Sequence, residues 1–272
     1  MMCDAVNTDD RPIGVFDSGI GGLTVVSELA ARLPDESIIY LGDTARVPYG
    51  DKSPDTIIRY AKEDAAFLAK HNVKLIIAAC NTVSAVALEE LKQTLDVPVC
   101  GVIEAGAAAV CGMSGKVAVI GTPATVESGA YVRAIKSVAP ELEIECTACP
   151  LLVPLAEEGI NVWRVLSGVL DIYIGKYKKS PPEALLLGCT HYPLFQKEFD
   201  RYFSGKVKII SSAAACAGFV SGMFEAGIIG RNSKRKSAER HFFVTDAPEK
   251  FVQSAERFLG REINEAKLAA LE

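Results

Sequence analysis

Two short stretches place a thiol beside a hydroxyl at the point where an apolar run ends. Residues 75–82 read LIIAACNT, and residues 185–191 read LLLGCTH. Each run suits a buried strand, and each opens onto a cysteine with a threonine close behind. The second adds His191. A thiolate is a base as well as a nucleophile. If Cys80 and Cys189 flank one cleft from opposite sides, one could take a proton from a carbon while the other returns a proton to its far face. The product would be the mirror image, and exchanging the two protonation states would run the reaction backward. An imidazole two residues past Cys189 can stabilise a thiolate or relay its proton. The other histidines, His71 and His241, have nothing reactive around them and read as surface or packing residues. Buried cysteine also packs as a small apolar side chain. That reading is preferred for Cys3, Cys100, Cys111, Cys146, Cys149 and Cys216.

Such strand ends need a scaffold. Strand-like runs occupy 11–19, 37–43, 73–81 and 97–103, and a second set occupies 115–122, 142–149, 183–190 and 206–212. Helical spacing fills 23–33, 53–71, 82–95 and 124–138, with Ser53 as an N-cap and Pro54 at the first helical position. Continuous Val/Ile/Leu strands alternating with helices imply parallel sheets covered on both faces. The expected fold class is therefore α/β: two similar α/β domains with parallel sheets and an active site in the cleft between them. Residues 1–100 plus 214–272 would form the first domain, because the late strand and helix in 241–259 can return to it. Residues 101–213 would form the second. Ligands bind outside the carboxyl ends of such strands. The exits to inspect are Asp17-Ser18-Gly19, Gly42-Asp43, Cys80-Asn81-Thr82, Gly121-Thr122 and Cys189-Thr190-His191.

Composition narrows the class. The chain has 272 residues, 49% of them hydrophobic, which is enough for a substantial core. A net charge of −5 argues against a general nucleic-acid binder. The basic run RNSKRK (231–236) reads as a solvated loop. No apolar run reaches the length of a membrane span, and the start MMCDAVNTDD lacks the pattern of a secretory signal. The expectation is a cytoplasmic protein whose eight cysteines are thiols rather than a disulfide frame.

Seven motifs in order carry a resemblance that covers the chain from about residue 12 to about residue 260. They are GVFDSGIGGLTV, LGDTARVPYG, AACNT, GVIEAG, VIGTPATVESG, CPLLVPLAEEG and LLLGCTHYPL. Together they closely resemble the glutamate racemases of the aspartate/glutamate racemase superfamily. The resemblance implies two similar α/β domains around a shared site, a cofactor-independent racemase, D-glutamate supplied for bacterial peptidoglycan, and a homodimer. By resemblance Cys80 takes the α-proton of D-glutamate and Cys189 that of L-glutamate. Asp17 assists near Cys80, and Glu157, or the adjacent Glu158, assists the second thiol. Asp17, Ser18, Tyr49, Gly50, Asn81, Thr82, Thr190 and His191 match substrate-contact positions. One threonine of GTPATVE joins them, Thr122 or Thr125, with Thr125 favoured. Asp17 and Ser18 also suit a turn that caps the helix beginning near Leu23. No pyridoxal signature is present, so hydrogen-bond donors would have to stabilise the charge that develops on the substrate.

Three other readings compete. Strand, GIGG and a later Asp43 imitate a dinucleotide fold, but Thr24 stands where G-x-G-x-x-G needs its third glycine. The lone C-x-x-C at 146–149 has no second pair to complete a zinc site, and no metal is expected. A non-catalytic binding protein on the same scaffold would have no need of opposed cysteines. Racemases of aspartate or hydantoins also share two cysteines, and DSGIGGLTV and CTHYPL favour the glutamate branch by resemblance alone.

Overall fold

A computed structural model describes residues 7–233 and 237–271. Cys3 and residues 234–236 of the basic run lie outside the described residues. Among the described residues ten strands form two sheets: β1 (Ile13–Asp17), β2 (Ile38–Gly42), β3 (Leu75–Ala78), β4 (Val99–Gly101), β5 (Lys116–Gly121), β6 (Glu143–Ala148), β7 (Ala184–Gly188), β8 (Lys208–Ser211), β9 (Arg240–Val244) and β10 (Lys267–Leu268). The first sheet runs β10-β9-β2-β1-β3-β4 and the second β6-β5-β7-β8. Every pairing is parallel.

Helices cover both faces. They are α1 (Leu23–Arg32), α2 (Pro54–Lys70), α3 (Asn81–Val86), α4 (Leu88–Thr94), α5 (Val102–Ala109), α6 (Pro123–Glu127), α7 (Ala130–Val138), α8 (Leu152–Glu157), α9 (Trp163–Ile174), α10 (Gln196–Tyr202), α11 (Ser212–Glu225) and α12 (Pro248–Leu259). The inner strands β1, β2, β3 and β7 are buried at every residue, as a sheet packed on two sides requires. Alternate residues feed opposite cores. Ile13, Val15 and Ile77 pack with α1, α11 and α12, whereas Phe16, Ile76 and Ala78 pack with α2, α3 and α4. In the second sheet Leu185 and Leu187 meet α8, α9 and α10, and Leu186 meets α5 and α7. Helix α5 serves both halves: Val102 and Ala105 join the first core, and Ile103 and Ala107 the second.

Several local readings change. The run 97–103 is not one strand, because β4 stops at Gly101 and Val102 opens α5. A Cβ at Gly101 would lie 2.8 Å from Leu88 and Ser84, and the Ser84 hydroxyl accepts the Val102 N–H at 3.2 Å. Those contacts turn the chain despite the β-branched pair Val102-Ile103. The stretch 124–138 divides at Gly129, whose left-handed φ of 65° breaks the helix. The stretch 82–95 divides at Ala87. Ser53 takes the N-cap position of α2, but its hydroxyl bonds Thr56 Oγ1 rather than a helix N–H. Cys111 is exposed rather than packed. Among the described residues no helix is long and apolar enough to cross a membrane.

One buried ion pair ties distant segments. Lys74 Nζ lies 2.6 Å from Glu36 Oε2 and donates to the carbonyls of Asp9 (2.7 Å) and Gly230 (2.8 Å). Glu36 in turn accepts the Asn232 N–H. Removing one partner of a buried pair strands the other charge. Lys74→Met should therefore lower unfolding free energy by about 3–5 kcal/mol in urea titrations. A loss under about 1 kcal/mol would show that the pair holds nothing together.

Candidate active site

The carboxyl ends of β1 and β3 in one sheet face those of β5 and β7 in the other across a single cleft. Its volume is about 370 Å³, suited to a small molecule. Cys80 follows β3 and precedes α3, and Cys189 follows β7. Both thiols line the cleft, and both residues are buried. Each has its own polar partner. Cys80 Sγ donates to Ser18 Oγ at 3.5 Å. Cys189 Sγ lies 3.7 Å from His191 Nδ1, and His191 Nε2 lies 3.1 Å from Glu157 Oε1.

Asp17 ends β1 fully buried between these two groups. One carboxylate oxygen accepts the Gly19 N–H at 3.0 Å, and the other accepts the Thr190 hydroxyl at 3.5 Å. Helix α1 has Gly22 at its N-cap, with no side-chain cap. Asp17 therefore holds the GIGG turn through its N–H groups rather than by capping α1 directly. Gly21 is required where it stands, because a Cβ there would lie 2.4 Å from Thr190 Oγ1 and 2.6 Å from the His191 ring. The glycine lets the first half approach the second.

The electrostatics differ on the two sides. Burial, with the Asp17 charge adding to it, pushes the Cys80 thiol up to about 12. Burial opposes a charged imidazole at His191, but bonds to Cys189 and Glu157 outweigh it and raise His191 to about 10. The bond to His191 holds Glu157 below the usual carboxylate range. Burial raises Asp17 above that range. At neutral pH the Cys80 side therefore favours a thiol, and the Cys189 side carries an imidazolium next to sulfur.

The remaining sequence candidates are also placed. Ser18, Tyr49, Gly50, Asn81, Thr82, Thr190 and His191 line the cleft. The Asn81 side-chain amide is occupied elsewhere: it accepts the Tyr131 hydroxyl at 2.6 Å and donates to Ser212 Oγ at 3.5 Å. Of the two adjacent glutamates, Glu157 makes the bond to His191. The two threonines of GTPATVE are placed differently. Thr122 lines the cleft, and its hydroxyl lies 3.1 Å from Thr82 Oγ1 of the other half. Thr125 sits one turn along α6, buried behind Thr122 at 2.9 Å.

Sequence reasoning missed a buried network behind the wall formed by Val47–Gly50. The Tyr49 hydroxyl bonds Asp43 and also reaches Asp64 at 3.1 Å. Arg46 pairs with Asp43 (2.6 Å), Asp64 (3.1 Å) and Glu63. Thr245 at the end of β9 donates to Asp43 at 2.8 Å. Burial and the Asp43 charge raise Asp64 well above its ordinary value. The available signal was Asp64 itself, an acid on the buried stripe Ile57, Ala61, Ala65, Leu68 of α2. The same network occupies Asp43, so that carboxylate is not presented to a ribose. Cys146 and Cys149 enter different cores, on opposite sides of β6. Among the described residues no group of three or more His, Cys, Asp or Glu could hold a metal ion.

Replacing Glu157 with Gln removes the anion that favours the imidazolium. The His191 titration, followed by NMR, should then move down from about 10. An unchanged midpoint would show that Glu157 does not control His191.

Comparison with known proteins agrees with this geometry. Residues 23–220 match the Asp/Glu/Hydantoin racemase family. The chain is 46% identical to the glutamate racemase of Geobacter metallireducens over 264 residues, 96% of this chain and 97% of that one. It is 46% identical to that of Chlorobaculum tepidum over 268 residues, 97% of this chain and 98% of that one. The crystal structure of Francisella tularensis glutamate racemase in complex with D-glutamate superposes with a TM-score of 0.88 at 40% identity, covering 97% of this chain and 98% of that one. The chain belongs to the Asp/Glu/hydantoin racemase family, among its glutamate racemases.

Proposed function

We propose that the chain interconverts L- and D-glutamate by moving the α-proton between two thiols, without a cofactor. The observation that carries this reading is the pair Cys80 and Cys189, set at matching strand exits of two sheets around one cleft, each with a separate proton partner. Glutamate is supported as substrate by the names of the near relatives and by the D-glutamate complex of the Francisella enzyme. The same family likeness supports a role in supplying D-glutamate for peptidoglycan, in the cytoplasm, by a homodimer.

From L-glutamate, the Cys189 thiolate takes the α-proton: the C–H bond breaks and an S–H bond forms. The electron pair left on carbon spreads into the α-carboxylate. The Cys80 thiol then delivers its proton to the opposite face, which gives D-glutamate and leaves Cys80 as thiolate. From D-glutamate the roles exchange. His191, paired with Glu157, helps Cys189 give up or recover its proton. Ser18 and Asp17 do the corresponding work at Cys80. The hydroxyls of Thr82, Thr122 and Thr190 supply donors for the substrate's carboxylates.

A positioned acid or base contributes roughly 10²–10⁴-fold to rate. Cys80→Ala and Cys189→Ala should each lose at least that much racemisation with the fold retained, assayed by chiral chromatography. Iodoacetamide should inactivate the parent by alkylating Cys80 and Cys189, and saturating glutamate should slow both modifications. Substantial turnover by either alanine variant would contradict the two-thiol reading.

A further inference from the structure

We infer that Arg257 is a positioning residue for the second thiol, acting with Phe258 as a brace from the other half of the molecule. Helix α12 packs against the first core through Phe251, Ala255, Phe258 and Leu259. Helix α8 packs in the second core through Leu152 and Ala156. Arg257 joins the two helices. Its Nη1 donates to the Ala156 carbonyl at 3.3 Å and to the Glu157 carbonyl.

Those carbonyls lie at the carboxyl end of α8, where the helix dipole is negative. The Ala156 oxygen also accepts the Gly159 N–H at 3.1 Å, and the guanidinium adds a charged donor shared by both carbonyls. The close approach depends on Gly159, which has a φ of 71° and whose missing Cβ would lie 2.8 Å from the Arg257 guanidinium carbon. The next residue along α12, Phe258, meets the His191 ring edge-to-face, with centroids 5.5 Å apart and planes at 87°.

The placement is specific to one side of the reaction. Arg257 fixes the backbone from which Glu157 extends, Glu157 bonds His191 Nε2, and His191 Nδ1 faces Cys189. Phe258 holds the same ring from its side. The Cys80 thiol instead rests on Ser18, at the exit of β1 in the first sheet. Loosening the brace should therefore slow proton transfer at Cys189 and leave transfer at Cys80 intact.

The inference rests on the two-thiol reading, and the experiment separates the two. The enantiomers are equal in free energy, so kcat/KM must stay equal in both directions in any variant. Asymmetry has to be read from primary isotope effects, measured with C2-deuterated L-glutamate and C2-deuterated D-glutamate. With Arg257→Ala, kcat should fall about three- to tenfold, the upper end corresponding to about 1.4 kcal/mol of barrier. The isotope effect from L-glutamate should rise and that from D-glutamate should fall. Arg257→Lys, which keeps the charge but not the planar fork, should lie between parent and alanine variant. It carries the same test if the alanine variant does not fold. Isotope effects that stay put or move together in a folded variant would overturn the brace. Cys189→Ser serves as the control: if it also fails to raise the L-glutamate isotope effect, the two-thiol reading falls. If it does raise it and the Arg257 variants do not, only the brace falls.

Discussion

Everything at the site depends on the parallel alignment of the strands. Because each sheet is parallel throughout, the carboxyl ends of its strands gather at one edge. The register keeps them level: Asp17 lies beside Gly42, and Gly121 lies beside both Ala148 and Gly188. Short loops then deliver Ser18, Cys80, Thr122 and Cys189 into one volume from four strands of two sheets. An antiparallel pair would send alternate strand ends to opposite edges and divide these groups.

The two thiols are not chemically equivalent, and the asymmetry has a structural origin. Burial, and after it the Asp17 charge, disfavours a thiolate at Cys80. Cys189 faces an imidazole whose protonated form is sustained by Glu157. The two thiols thus stand in different surroundings, one beside a hydroxyl and a carboxylate, the other beside an imidazole. The remoter supports divide in the same way. The Asp43, Arg46, Asp64 and Tyr49 cluster backs the wall that the first half contributes. Contacts from α12 reach the second.

The strands were legible because buried parallel strands are written as unbroken Val/Ile/Leu runs, and their ends are marked by abrupt polarity. Cys80, Cys189 and His191 could be found by that change alone. Glu157 and the cleft-lining hydroxyls came only through family likeness, since nothing in local spacing ties residue 157 to residue 191. The place of Thr122 at the strand exit was legible on physical grounds. A threonine before Pro123 has the pattern of an N-cap, and the N-cap is the residue left at the strand exit. The break at Ala87 and the two-residue strand β10 carried no local signal, whereas the break at Gly129 did, a glycine inside a helical stretch. The buried acid network escaped for a related reason: its members are far apart in sequence and meet only after folding.

The central claim is that inversion proceeds by exchange of the α-proton through protein acids alone. The most direct measurement incubates L-glutamate with metal-stripped, pyridoxal-free protein in heavy water. Optical rotation and α-deuterium content are followed together by polarimetry and mass spectrometry. Rotation should decay to zero, with one α-deuterium entering each molecule that inverts. Unchanged rotation with folded, reduced protein, or decay without deuterium at the α-carbon, would contradict the account.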